Sequence, residues 1–354
     1  MTLLDVLKVF IPATGAFAIG ILITPILTNY LYKNRMWKKR GGKVALDGKS
    51  ATVFNQLHEI KEVGTPRFGG MIVWGSTLLT AGVFFLLDTM SIRPLFDELS
   101  FVSRGQTWIP LGALVLGAFV GFIDDLFEVK EEKSGGLSLR KRLGVVAIVA
   151  AACAWWFYFK LEVSSIMIPF WGPFELGLLF IPLFIIVALS VYAGGVIDGI
   201  DGLAGGIFAS IFAAYAGIAF FEAQIDLSAF CATIAGALLA FLWFNVPPAR
   251  FYLSETGTMG LTLALTVVAF LSDSLAGGVG VSVLPIIGFL LVITVLSNIV
   301  QIVSKKIFGK KILLVAPLHH HFEALGWPAY KVTMRYWIVG VIAAIIGVSI
   351  ALIG

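Results

Sequence analysis

Ten stretches of this chain contain no charged side chain: residues 10–32, 68–87, 107–123, 143–159, 176–197, 203–221, 227–246, 257–272, 279–303 and 336–353. A helix needs about 20 apolar residues to cross a bilayer core, and most of these runs reach or approach that length. Their number predicts an all-α polytopic integral membrane protein of about ten transmembrane helices, in one domain over residues 1–354. The eighth run is the shortest and reads as tilted or broken. Only 13% of the residues are charged and 59% are hydrophobic, against about a quarter charged in soluble domains. Cys153 and Cys231 lie within apolar runs and read as small packing residues, with no disulfide framework or zinc site implied. The first run is too long for a signal-peptide core and lacks a small-residue cleavage site, so it is expected to remain attached. No internal repeat of fixed period is visible, and nothing points to nucleic acid.

Ten spans divide the connections into two sets. Those after spans one, three, five, seven and nine hold 21 of the 25 Lys and Arg residues; the other set holds Lys8, Arg93, Arg104 and Lys160. The positive-inside rule makes the first set cytoplasmic and both termini external. Basic residues at 33–43 also suit contact with anionic headgroups.

The unusual residues fall in the cytoplasmic set. Residues 64–70 read G-T-P-R-F-G-G, a turn opening the second span. Asp124 and Asp125 follow the third span, with Lys130, Lys133, Arg140, Lys141 and Arg142 beyond them. The fifth span runs into D-G-I-D-G-L-A at 198–204, where Asp198 and Asp201 are three residues apart; glycines leave the backbone open to a ligand, or simply turn the chain while Asp198 caps the next helix. Asn245, Arg250, Tyr252 and Glu255 follow the seventh span, and His319, His320 and His321 the ninth.

Clustered carboxylates facing basic loops suit a phosphorylated substrate and Mg²⁺, which is commonly shared between one or two carboxylates and phosphate oxygens. Phosphoryl transfer needs positioning and charge neutralisation more than covalent help. Helix starts near 203 and 259 are expected to aim amide N–H groups at phosphates. Successive side chains diverge, so three consecutive histidines do not all ligate one ion; contact with substrate phosphates or hydroxyls is the expected use.

The ordered set G-T-P-R-F-G-G, Asp124-Asp125, D-G-I-D-G-L-A, L-W-F-N at 242–245, P-L-H-H-H-F-E at 317–323 and M-R-Y-W at 334–337 resembles the phospho-N-acetylmuramoyl-pentapeptide transferase family, over essentially the whole chain. The resemblance implies transfer of phospho-MurNAc-pentapeptide from UDP-MurNAc-pentapeptide to undecaprenyl phosphate, giving lipid I and UMP with Mg²⁺. It further implies a bacterial inner membrane enzyme embedded in the lipid bilayer, with a homodimer as its assembly. Asp124, Asp125, Asp198, His319, His320 and His321 are then the candidate catalytic residues. Asp201, Asn245, Tyr252, Lys130 and Lys133 are the candidate substrate-binding residues, and Glu255 and Asp198 the candidate metal ligands. Several positions depart from the family's pattern. Glu255 stands where an aspartate is usual, Tyr192 and Gly195 where asparagines are, Glu128 where a lysine is, and Arg67 where a threonine is. A GlcNAc-1-phosphate transferase is the alternative within the superfamily. An ion-coupled secondary transporter is the alternative of a different class, although transporter carboxylates usually lie near the midplane within repeats.

Overall fold

The computed structural model describes residues 2–39, 41–42, 55–56, 62–90, 99–130 and 136–354. Among them are twelve α-helices and one hairpin: α1 (Leu3–Lys33), α2 (Gly70–Thr89), α3 (Trp108–Lys130), α4 (Leu139–Lys160), β1 (Ser165–Ile168), β2 (Gly172–Glu175), α5 (Phe180–Gly194), α6 (Leu203–Phe221), α7 (Ile225–Asn245), α8 (Ser254–Ala276), α9 (Gly280–Ile287), α10 (Phe289–Phe308), α11 (Leu318–Ala324) and α12 (Ala329–Ile353). Ten helical segments are long and apolar enough to span a membrane, as the charge-free runs predict. The architecture is all-helical, with one short hairpin in which β1 and β2 pair antiparallel, Ser165 opposite Glu175.

The eighth span is the centre of the fold. It covers 23 residues, and 94% of its most apolar window is buried. The sequence reads short here because the helix begins with Glu255 in its first turn and carries threonines inside. Those hydroxyls bond back along the helix, Thr262 to the Thr258 carbonyl at 2.7 Å and Thr266 to that of Thr262 at 2.9 Å, so they are buried without an orphaned donor. Two glycines let α3 press against α8. A Cβ on Gly121 would lie 2.0 Å from the Glu255 carbonyl oxygen, and one on Gly117 would lie 2.7 Å from that of Met259. This small-residue contact brings two backbones together as membrane helices commonly do.

The ninth run, 279–303, is not one helix. Gly288 adopts a non-helical φ of −88° and ψ of 22° between α9 and α10, three residues after Pro285, the kind of pairing that interrupts a helix. The third span is longer than the sequence suggests and continues through Asp124 and Asp125 to Lys130.

Both termini lie at the end of the bundle away from these aspartates. Lys8 on α1 pairs with Asp226 at the start of α7 at 2.6 Å, and the Gly354 carbonyl accepts from Phe170 N in the hairpin at 3.3 Å. Asp273, near the far end of α8, accepts from Met167 N of the hairpin at 3.1 Å and from Val281 N of α9 at 2.8 Å.

Candidate active site

The first amides of a helix have no partner within it, and α8 meets this need with carboxylates from elsewhere in the chain. Ser254 N donates to Asp198 Oδ2 at 2.8 Å, and Thr256 N to Asp125 Oδ2 at 2.8 Å. The hydroxyls of Ser254 and Thr256 each reach the same Asp125 oxygen at 2.6 Å. Ser254 Oγ also accepts from Phe68 N at 3.1 Å. Ser254 holds a left-handed φ of 52°, a costly conformation for a non-glycine residue. It ties together the approach to α2, the end of α3 and the turn between α5 and α6.

Adjacent positions on α3 point apart, and the two aspartates have different partners. Asp125 Oδ1 accepts from Arg67 Nε at 3.1 Å, and Arg67 Nη2 lies 2.9 Å from Glu128 Oε2. Burial works against the Arg67 charge, but Glu128 and Asp125 outweigh it and raise its pKa above the ordinary guanidinium value. Lys38 closes this group at 2.9 Å from Glu128. Asp124 accepts from Leu137 N and lies 3.6 Å from Arg142 Nη1. That same Arg142 nitrogen is 2.5 Å from Glu255 Oε1, while Tyr192 Oη donates to Glu255 Oε2 at 3.2 Å.

A 3₁₀ turn over Gly195–Ile197 ends α5 and delivers Asp198. The next residue carries the histidine contact: a Cβ on Gly199 would stand 2.6 Å from His320 Nε2 and 2.7 Å from His319 Nε2. Here glycine is required for room. His320 Nδ1 is 2.7 Å from Glu323 Oε2, one turn along α11. The triplet divides as diverging side chains must. His319 and His320 are buried beside Gly199, while His321 Nδ1 accepts from Leu314 N at 3.2 Å.

The remaining expected residues are placed less centrally. Asp201 Oδ2 accepts from Ala249 N at 3.1 Å. Asn245 is 4% exposed and spends both ends of its amide on the fold, accepting from Gly202 N at 2.9 Å and donating to the Phe251 carbonyl at 2.7 Å. Tyr252 is fixed through its backbone to Pro66 O at 2.9 Å and Gly69 N at 2.8 Å. Burial pushes its phenol up to about 12, against an opposing hydrogen bond with Thr65. Lys130 is exposed at the end of α3, and Lys133 lies outside the described residues. Sequence reasoning assigned no role to Ser254, Thr256, Arg67, Arg142 or Tyr192. The S-E-T-G-T string at a helix start was the available signal for the first two, since such positions present hydroxyls and amides together.

Mg²⁺ needs oxygen ligands and near-octahedral room. Among the described residues no three Asp, Glu, His or Cys side chains group as a metal site. Glu255 and Asp124 face the Arg142 guanidinium, and an Asp198 oxygen is taken by Ser254 N. In this arrangement Arg142 occupies the space between Asp124 and Glu255, so these two carboxylates face a guanidinium rather than an open cation site.

Residues 107–273 match the family model for glycosyl transferase family 4. The chain is 32% identical to a phospho-N-acetylmuramoyl-pentapeptide-transferase of Chloroflexus aurantiacus, over 99% of this chain and 91% of that protein. The chain belongs to the phospho-N-acetylmuramoyl-pentapeptide-transferase family. A relative of that name from Clostridium perfringens is 32% identical over 95% of this chain and 94% of its own length. One from Dichelobacter nodosus is 31% identical over 97% and 92%. Arg67 pairs with Glu128, and Tyr192 with Glu255.

Proposed function

We propose that this protein transfers phospho-MurNAc-pentapeptide from UDP-MurNAc-pentapeptide to undecaprenyl phosphate, releasing UMP and leaving lipid I in the membrane. The observation that carries this reading is the meeting of Asp124, Asp125, Asp198, His319 and His320 around the start of α8 and the turn before α6, in a chain related end to end to transferases of that name.

In the reaction an oxygen of the lipid phosphate attacks the phosphorus that carries the sugar. A new P–O bond forms, the bond to the bridging oxygen breaks, and UMP departs with that oxygen. A phosphate monoester is largely ionised at pH 7 because its second pKa is about 6, so little proton removal is required. Neutralising the crowded negative charge is then the main demand on the protein. Arg67 and Arg142 are fixed cations beside the aspartate pair, and imidazoles can donate to phosphate oxygens in either charge state. Asp198 is best placed to hold the α8 amides in register with the reacting group.

The distribution of Lys and Arg supports a cytoplasmic position for this end of the bundle, in a bacterial inner membrane, and the family resemblance supports a homodimer. The test uses the full chain in lipid vesicles with undecaprenyl phosphate. UMP should appear with UDP-MurNAc-pentapeptide and not with UDP-GlcNAc, and Asp198→Asn should abolish it. UMP from UDP-GlcNAc would overturn the substrate assignment. Ion-driven uptake of solute with no UMP would replace the transferase by a transporter.

A further inference from the structure

Between Asp124 and Glu255 lies one positive group. Arg142 Nη1 sits 2.5 Å from Glu255 Oε1 and 3.6 Å from Asp124 Oδ2, on a side chain that is 24% exposed, with Asp124 only 2% exposed. Glu255 is held from its other oxygen by Tyr192 Oη at 3.2 Å. Across the aspartate pair, Asp125 is met by Arg67, Ser254 and Thr256. The carboxylates on both sides of the pair are thus engaged with fixed donors, and two of them share a guanidinium.

A guanidinium stays charged at every accessible pH and is less strongly hydrated than an ammonium. A divalent ion bound between Asp124 and Glu255 would have to expel it and leave the partly buried Arg142 charge without these two partners, at a cost that its partial exposure to solvent reduces. Moving Arg142 aside gains nothing unless the ion repays that loss.

We propose that the Arg142 guanidinium takes the place of a divalent cation in this chain, bridging Asp124 and Glu255 and offsetting part of their negative charge beside the substrate diphosphate. This rests on the transferase function proposed above, although its metal-binding half stands independently. Glu255 is long enough to reach across to the guanidinium, and Tyr192 orients it. Tyr192, Glu255 and Arg142 therefore form one connected group, with Asp124 on the far side of the guanidinium.

The test measures Mn²⁺ alone, by electron paramagnetic resonance, on the full-length protein in detergent micelles, with size-exclusion profiles as the folding control. Wild type should bind Mn²⁺ at least ~10-fold more weakly than Arg142→Ala. Arg142→Lys, which keeps the charge and preserves the fold if alanine does not, should remain as weak as wild type. In parallel, UMP release by wild type should persist in EDTA, whereas Arg142→Ala should release UMP only when Mg²⁺ is added. Saturable Mn²⁺ binding to wild type that neither substitution changes would overturn the proposal, and so would loss of wild-type UMP release in EDTA. If no nucleotide yields UMP, the transferase assignment fails and the Mn²⁺ comparison alone decides the place of Arg142.

Discussion

Arg67 Nη2 lies 2.9 Å from Glu128 Oε2, with both side chains largely buried. The pair ties the turn before α2 to the last part of α3. The pair also presents Arg67 Nε to Asp125. Removing one partner of a buried ion pair typically costs about 3–5 kcal/mol. Arg67→Ala is expected to lower stability by about 3 kcal/mol, read as a fall in the thermal midpoint in micelles. Glu128→Gln, which keeps an acceptor, should cost less, and Arg67→Ala with Glu128→Gln should cost less than the two separate losses combined. Strict additivity would argue that the pair is not coupled.

Asp125 is fully buried and accepts at both oxygens. Asn at this position turns an NH₂ toward donors whichever way the amide is flipped. A buried donor left unsatisfied costs about 1–3 kcal/mol, so Asp125→Asn should destabilise the fold as well as reduce UMP release. Asp124→Asn has fewer donors to disappoint and should affect turnover more than the thermal midpoint. The reverse order would mean that the structural and reactive roles of the two residues are exchanged.

At Gly199 the expected effect is steric. A methyl group there would meet both His319 and His320 at 2.7 Å or less, and displacements near 1 Å at a reacting centre can cost about 100-fold in rate. Gly199→Ala should reduce UMP release by at least ~10-fold while the protein still elutes as a folded species. Activity equal to wild type would show that the ring edges are not used.

Glu222, in the turn between α6 and α7, offers a pH test remote from the reaction. Burial raises its carboxyl from 4.5 to about 7, against an opposing hydrogen bond from Ser272. A folded-state pKa above the unfolded one favours the protonated form in the native protein. That contribution is complete below pH 4.5 and is lost as the pH rises through about 7. Stability should therefore fall between about pH 5 and 8, and Glu222→Gln should flatten the fall, making the variant the more stable protein at pH 8. An identical pH profile for both proteins would remove Glu222 as the cause.

The ten spans are legible because a lipid-facing helix has to exclude charge, and each of them holds a charge-free run of 16 residues or more. Their ends are less legible wherever charge is neutralised inside the fold. Span three reads as ending at residue 123, yet the helix carries Asp124, Asp125 and Glu128 because Arg67 and Arg142 meet them. The break at Gly288 is hidden in an uninterrupted apolar run, since one glycine does not identify a hinge in a membrane helix. The aspartate and histidine motifs are visible as strings. The use of Arg142 is not: Arg140, Lys141 and Arg142 read together as basic residues of a loop suited to a phosphorylated substrate, and only packing reveals that the first two are exposed while the third turns toward Glu255. Asn245 shows the opposite error, a motif residue whose hydrogen bonds hold the fold.

The start of α8 is capped by Asp125 from α3 and by Asp198 from the turn before α6. During synthesis α8 emerges after both, so its leading amides find their acceptors already inserted. A chain truncated within α7 would lack the amides and hydroxyls that these two carboxylates accept from. The leading turn of α8 is thus the place where two spans made earlier become joined, and its docking fixes both carboxylates at once.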